Sequence, residues 1–128
     1  MRYLLDTQLV IWAKISPQLL PQRAPEIIEN VEHELAFSVV CLWEVVIKMA
    51  RGRANFNVDA RVLRRRLLAD GFIEVDVSAA HVLAVADLPL HHGDPFDRIQ
   101  LAQAKVEGMR LLTTDGLLAR YGSPVERV

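Results

Sequence analysis

Residues 35–51 read LAFSVVCLWEVVIKMAR, a short apolar strand followed at once by a long apolar helix. Ser38 stands at the junction, where its hydroxyl can accept a hydrogen bond from the first turn of the helix, and Gly52 follows the last turn. On both sides of this unit, short apolar runs alternate with helical patterns. This alternation is typical of an α/β fold with a mostly parallel sheet.

The same criteria predict the remaining elements. We predict strands over 2–5, 35–37, 73–75 and 110–113, with an edge strand at Val125. We predict helices over 7–14, 24–31, 39–51, 59–69, 79–86, 95–107 and 116–121. Together they indicate a central sheet of about four to five strands flanked by helices. Because 128 residues are enough for one hydrophobic core, we expect a single domain over residues 1–128.

The composition is ordinary for a soluble globular protein, with 52% hydrophobic and 24% charged residues and a formal net charge of −1. Nucleic acid would therefore have to bind through a local basic patch. The single cysteine, Cys41, lies in an apolar run, so we expect it in the core. No apolar stretch of about 18 residues predicts a membrane span, and Asp6 interrupts the place where a signal peptide is apolar. We expect a cytoplasmic protein.

Four acidic residues occupy positions that predict a shared site. Asp6 and Asp115 directly follow the first and fourth predicted strands, whereas Glu44 and Asp97 lie in early turns of predicted helices. In open parallel sheets, functional groups collect beyond the carboxyl ends of the strands. We therefore expect these four side chains to meet at one edge of the sheet, although they are far apart in the sequence.

Three of these acids also have a local structural explanation. Asp6 and Asp115 are suitable N-caps for the helices that follow them. Asp97 comes three residues after Asp94, which resembles a capping box, and Asp94 is the better cap. Asp97 shares a helical stripe with the apolar residues four and seven positions on, so we expect it to point toward the interior.

Glu44 is harder to explain by local structure. Its helix, VVCLWEVVIKMA, is apolar almost all round and is therefore predicted to be buried. Lys48 lies four residues on, but such a pair contributes only about 0.2–0.5 kcal/mol on an exposed helix. A buried glutamate is unfavourable unless it is paired or bound to a cation, which favours a functional role.

Convergence of four carboxylates predicts a bound cation. Two like charges about 4 Å apart cost on the order of 4 kcal/mol at an effective dielectric constant near 20. Such a cluster either takes up protons or binds a cation, and oxygen ligands suit Mg²⁺ or Mn²⁺. Mg²⁺ on carboxylates activates water and stabilises charge in phosphodiester hydrolysis. The sequence therefore predicts a magnesium-dependent phosphodiesterase site.

One basic stretch is a candidate surface for RNA. It covers residues 48–66, and its first members are Lys48, Arg51 and Arg53. Such a stretch is either a phosphate-facing groove or a solvated helix face, and the sequence leaves both alternatives open.

Other residues are candidates for supporting roles. Arg98 follows Asp97 directly and either supports the site, contacts substrate or forms a surface ion pair. His91 and His92 are predicted at the rim of the site, with one of them near a substrate phosphate. Trp12 and Trp43 are predicted in the core or at a subunit interface.

With these residues in place, the chain resembles the PIN-domain ribonucleases, and specifically the VapC-type toxins of bacterial toxin–antitoxin pairs. The matching stretches are YLLDT (3–7), SVVCLWEVVIK (38–48), LPLHHGDPFDRIQLAQA (88–104) and LLTTD (111–115). They occur in the order of the family and cover nearly the whole chain.

The resemblance implies a PIN-like three-layer fold and a metal-dependent endoribonuclease. It places the four acids of the family on Asp6, Glu44, Asp97 and Asp115. The metal would be held mainly by Asp6 and Asp97, with the other two direct or through water. Thr7 and either Thr113 or Thr114 would hold water or orient the acids, and Arg98 and His92 would support the site or contact substrate. The implied partners are an RNA substrate, an antitoxin whose peptide crosses the site, and a second copy of the chain in a homodimer or toxin–antitoxin hetero-oligomer.

Two other functions are compatible with parts of the sequence. A phosphatase with a nucleophilic aspartate after the first strand would use Asp6, but the usual second aspartate is replaced by Gln8. A catalytically inactive PIN-like module would bind RNA or protein, although all four acids are present.

Overall fold

The computed structural model describes residues 1–52 and 56–128, so the RNA contact predicted at Arg53 lies outside the described residues. The strands are β1 (Arg2–Leu5), β2 (Glu34–Ser38), β3 (Ile73–Val75), β4 (Arg110–Thr113) and β5 (Val125–Arg127). They form one sheet in the order β3-β2-β1-β4-β5, and each neighbouring pair is parallel. The predicted α/β fold with a central parallel sheet is confirmed.

Helices separate the strands along the chain. In the described ranges they are α1 (Thr7–Ile15), α2 (Arg23–Ile28), α3 (Val39–Ala50), α4 (Ala60–Ala69), α5 (Ala79–Val85), α6 (Pro95–Glu107) and α7 (Gly116–Ala119), with a 3₁₀ helix at Pro17–Leu19. The sequence predicts all of them except the 3₁₀ helix. It extends α2 too far, because Asn30 forms a turn in which its side chain accepts the backbone N–H of Glu32 at 2.9 Å. No described helix has both the length and the apolar composition needed to cross a membrane.

The central strand β1 is buried on both faces. Leu5 belongs to a hydrophobic cluster with Leu9 of α1 and Leu63 of α4. Leu4 belongs to a second cluster with Leu101 of α6. Because successive residues of a strand point to opposite faces, helices cover both sides of the sheet and the fold has three layers. β1 and β4 pair in parallel, which places their carboxyl ends side by side.

Helix α3 is less buried than its sequence predicts. Val40, Cys41 and Val45 are buried, but Trp43 is 60% exposed and Val46 is 53% exposed. The prediction of burial on all sides is therefore wrong, because neighbouring elements cover only one face of the helix.

The exposed face of α3 forms one wall of an apolar groove. Trp43 packs edge-on against Phe96 of α6, with ring centroids 5.0 Å apart. Val82 of α5 and Leu90 lie along the same groove, and both are exposed. The groove is thus an apolar surface rather than part of the core.

Candidate active site

The four acids predicted from the sequence line one cleft of about 320 Å³, beyond the carboxyl ends of β1 and β4. The described residues that line it are Asp6, Thr7, Gln8, Glu44, Lys48, Asp94, Asp97, Thr114 and Asp115. Two of the four acids follow strands, one lies in α3 and one in α6. The structure therefore brings together four carboxylates from separate segments of the chain.

Asp6 caps α1 and also reaches the cleft. Its Oδ1 accepts the backbone N–H of Leu9 at 2.9 Å, and its Oδ2 accepts a hydrogen bond from the hydroxyl of Thr113. Burial, with a smaller contribution from the charges of Glu44 and Asp115, raises the pKa of Asp6 to about 6, although both hydrogen bonds favour the charged form. The predicted N-cap is confirmed. The cap uses one oxygen, so it is compatible with a role for the other in the cleft.

Asp115 combines the same two features at the start of α7. Its Oδ1 accepts the backbone N–H of Leu117 at 2.7 Å, and its Oδ2 lies 3.0 Å from Nε2 of His92. Burial alone would raise the pKa of Asp115, but the hydrogen bonds from His92 and from the backbone outweigh it, so this pKa lies below its ordinary value.

His92 lies between two of the acids. Its Nε2 is 2.9 Å from Oδ2 of Asp97 and 3.0 Å from Oδ2 of Asp115. Its Nδ1 accepts the backbone N–H of Asp94 at 3.2 Å, which assigns the ring proton to Nε2. That proton therefore points at the two carboxylates, into the space that a cation shared by them would take. His91 points away and packs against Tyr121.

Asp97 points into the cleft from the first turn of α6, whereas Asp94 caps this helix. Oδ1 of Asp94 accepts the N–H of Phe96 at 2.8 Å and that of Asp97 at 3.2 Å, which confirms the predicted cap. Burial raises the pKa of Asp97 to about 7. The charges of Asp94 and Asp6 act in the same direction, and His92 opposes them. Such a carboxyl group keeps its proton near neutral pH unless a cation compensates.

Glu44 is held by a neighbouring hydroxyl. Thr7 donates to its Oε1 at 2.6 Å, and the same Thr7 oxygen accepts a hydrogen bond from Nε2 of Gln100 at 3.2 Å. Lys48 lies 3.8 Å from Oε2, so the predicted helical pair is present but long. Burial raises the pKa of Glu44 above its ordinary value, although Thr7 and Lys48 favour the charged form.

The donor set suits a hard divalent cation. Five carboxylates and a single ammonium group, that of Lys48, line the described part of the cleft. Oxygens of Asp97 and Asp115 and the Nε2 of His92 lie within 4.8 Å of one another, so a cation shared by the two carboxylates would displace the N–H group of His92. Carboxylate oxygens are the ligands that Mg²⁺ and Mn²⁺ prefer, so the residues present match the predicted metal.

Comparison with known proteins identifies the family. The family model described as the PIN domain matches residues 3–123. The chain belongs to the PIN-domain family. It is 28% identical to the ribonuclease VapC22 of Mycobacterium tuberculosis over 122 residues, which are 94% of this chain and 92% of that protein. The resemblance recognised in the sequence motifs is thus confirmed.

Solved structures share the fold of this PIN domain. VapBC2 of Rickettsia felis, bound to a DNA fragment from its promoter, superimposes with a TM-score of 0.72 at 16% identity, covering 100% of this chain and 99% of that one. VapBC-5 of Mycobacterium tuberculosis gives 0.60 at 22% identity, covering 99% and 98%. These likenesses confirm the PIN-like α/β architecture.

Sequence reasoning missed one polar residue of the PIN domain. Gln100 is fully buried on α6 and reaches Glu44 through Thr7. It comes three residues after Asp97, so helical periodicity places the two on the same side of α6. The sequence signal that could have identified Gln100 is its polar side chain in the same helical stripe as Asp97.

The other predicted residues of the PIN domain have mixed positions. Thr114 and Lys48 line the cleft, whereas Arg51 is exposed just beyond the end of α3. Arg98 donates to the carbonyl oxygens of Val85, Leu88, Pro89 and His92 and to the hydroxyl of Tyr121, so it braces the loop that carries His92.

Cys41 is buried as predicted, and burial raises its pKa to about 12, which argues against a nucleophile.

Proposed function

We propose that this chain is a magnesium-dependent endoribonuclease, the toxin of a VapC-type toxin–antitoxin pair, with one nuclease domain over residues 1–128. The observation that carries the proposal is the convergence of Asp6, Glu44, Asp97 and Asp115 in one cleft of a PIN domain. Likeness to a relative named as a VapC ribonuclease supports RNA as the substrate.

Asp6 and Asp97 would hold Mg²⁺, or Mn²⁺ as the second choice, with Glu44 and Asp115 direct or through water. The bound ion would supply a lowered pKa for a coordinated water and stabilise negative charge on the phosphate. Thr113 holds Asp6 and Thr7 holds Glu44, so both carboxylates are oriented before substrate arrives.

The chain's own residues also suit proton transfer and phosphate binding. With the cation bound, the carboxylates that surround it would be charged, and one that is not bound directly would be free to accept a proton from the attacking water. Lys48, at the edge of the cleft, is placed to contact a phosphate oxygen of the RNA. Arg51 lies beyond it on the same helix end and would extend this contact along the backbone.

A second groove supports the proposal of an antitoxin partner. It has a volume of about 760 Å³, is lined by Trp12 among others, and shares Gln8 and Lys48 with the acidic cleft. A peptide in this groove would reach the acids and block them. The solved neighbours include toxin–antitoxin complexes. The apolar groove beside Trp43 supports the proposal of a homodimer, because a second copy of the chain would cover its exposed apolar side chains. We propose a cytoplasmic location for the pair.

The phosphatase alternative has less support. The second aspartate of the usual phosphatase pattern is replaced by Gln8, which lines the cleft with Asp6. An amide cannot act as a general acid or base, so a metal ligand is the better role for Asp6.

The proposal can be tested by cleavage of RNA in Mg²⁺ and in EDTA, with sequencing of the new 5′ ends. Asp97→Asn should lower the rate at least about 100-fold, because loss of a charged metal ligand should cost at least as much as loss of a group that only orients one, which is about 10–100-fold. Asp59→Asn is a matched control, because Asp59 is also an acid at a helix N-terminus but caps α4 outside the cleft. Undiminished cleavage by Asp97→Asn would refute the site. RNA binding by the wild type without cleavage would favour the inactive module.

A further inference from the structure

A buried glutamine stands behind the acidic cleft without facing it. Gln100 has no exposed surface, and its Nε2 donates to Oγ1 of Thr7 at 3.2 Å. Thr7 in turn donates to Oε1 of Glu44 at 2.6 Å. The three side chains belong to α6, α1 and α3, so this short relay joins three elements at the site.

The amide of Gln100 holds the oxygen of the Thr7 hydroxyl in place. A hydroxyl has one proton and can donate only once. Because the carboxylate of Glu44 can only accept, Thr7 donates to it, and the oxygen of Thr7 is left to accept from Nε2 of Gln100. The carboxylate of Glu44 is then fixed through Oε1, while Oε2 remains on the side of Lys48, which lines the cleft.

Packing does not account for this residue. Oε1 of Gln100 is buried and has no hydrogen-bond partner among the described residues. A buried acceptor without a partner is destabilising, and an apolar side chain of similar size would avoid the cost. Its neighbours Leu101 and Ala102 are apolar and fully buried, so the helix readily places apolar groups here.

Gln103, one turn along α6, provides a comparison within the same helix. It is also fully buried, its Nε2 donates to the carbonyl oxygen of Asp76 at 3.3 Å, and its Oε1 is likewise unpartnered among the residues that the structure describes. This hydrogen bond does not reach the acids of the cleft. The two glutamines therefore share burial and chemistry and differ in whether they contact the site.

We propose that Gln100 is a positioning residue for the cation site. Its amide orients Thr7, and Thr7 holds the carboxylate of Glu44 in the rotamer that presents Oε2 to the cleft. This inference rests on the proposed function, since it assumes that Glu44 takes part in binding the cation.

The test replaces Gln100 by methionine, which keeps the length of the side chain and removes both polar atoms. The full chain is purified without metal, and the Kd for Mn²⁺ alone is measured by titration calorimetry beside the Tm in EDTA. Gln100→Met should weaken Mn²⁺ binding about tenfold, the lower end of the effect seen when a group that orients a metal ligand is lost. The Tm in EDTA should stay the same or rise, because an unpartnered buried acceptor is removed. Gln103→Met should leave the Kd unchanged.

A double-mutant cycle tests whether Gln100 acts through the hydroxyl group of Thr7. Thr7→Val alone should weaken Mn²⁺ binding to a similar extent, and Gln100→Met should add nothing in that background, because both act through the same hydrogen bond. Gln100→Leu repeats the experiment should the methionine variant fold poorly.

The possible outcomes distinguish failure of the positioning role from failure of the proposed function. Wild-type affinity for Mn²⁺ in Gln100→Met, or equal weakening in Gln103→Met, would overturn the positioning role while the proposed function stands. A wild-type chain that neither binds Mn²⁺ nor cuts RNA would overturn the proposed function, and this inference with it.

Discussion

Asp97→Asn should make the cation-free protein more stable at neutral pH, although it removes a residue of the proposed site. Burial and the charges of Asp94 and Asp6 raise the pKa of Asp97 to about 7. In the unfolded chain the ordinary value is 3.8. Above about pH 4 the unfolded chain is therefore stabilised by ionising this group, whereas the folded protein keeps the proton until about pH 7. Asparagine does not ionise, so the variant avoids this loss of folding free energy.

The sign follows from proton binding. Between about pH 4 and pH 7 the folded wild type keeps a proton that the unfolded chain has lost, so its free energy of unfolding falls as the pH rises. Each pKa unit corresponds to about 1.36 kcal/mol. The rise from 3.8 to about 7 therefore lowers the free energy of unfolding of the wild type by at most about 4 kcal/mol above pH 7. In the Asp97→Asn variant, the side-chain carbonyl oxygen of the new asparagine can still accept the hydrogen bond from Nε2 of His92, so little is lost in exchange.

The assay is urea unfolding of both proteins in EDTA at a series of pH values from about 4.5 to about 8. The stability difference should be small at the acidic end and grow in favour of Asp97→Asn until about pH 7. Mg²⁺ at about 1,000 times its Kd stabilises the wild type by about 4.1 kcal/mol, so it should cancel the advantage of Asp97→Asn. A difference that does not change with pH, or a variant less stable than wild type at about pH 8 in EDTA, would refute this electrostatic account.

Three further substitutions test other parts of the site. His92→Ala should tighten Mg²⁺ binding about tenfold in calorimetry, because the cation no longer displaces an N–H group from two carboxylates. His91→Ala should leave Mg²⁺ binding unchanged, because His91 packs against Tyr121. Weaker binding by His92→Ala would instead make His92 a ligand. Lys48→Gln should raise the KM for RNA and lower the salt dependence of RNA binding by about one unit of slope. The control Arg64→Gln removes an ion pair with Glu74 and should change neither quantity. Equal effects of the two substitutions would disprove the phosphate contact. Arg98→Lys should lower the free energy of unfolding by about 2–3 kcal/mol, because one ammonium cannot replace five guanidinium contacts, and an unchanged urea midpoint would contradict this.

The order of elements could be predicted because its signals are local. Ser38 and Asp94 were recognisable as caps from their neighbours alone, and both cap the expected helices. Strands β1, β2 and β4 were visible as short apolar runs, whereas only Val125 marked β5. Parallel pairing follows from the helices between the strands. The acids at strand ends were likewise found from order along the chain, since parallel strands place their carboxyl ends at one edge.

Tertiary structure decided the features that depend on distant residues. The sequence by itself determined the fold class and which acids are candidates for the site. It did not determine that His92 would lie between Asp97 and Asp115, because a loop histidine has no periodicity that predicts its direction. Nor did it determine the link from Gln100 through Thr7 to Glu44, since these hydrogen bonds join residues 93 and 37 positions apart. Local patterns predict where a backbone turns; only the packing of separate segments decides which polar atoms meet.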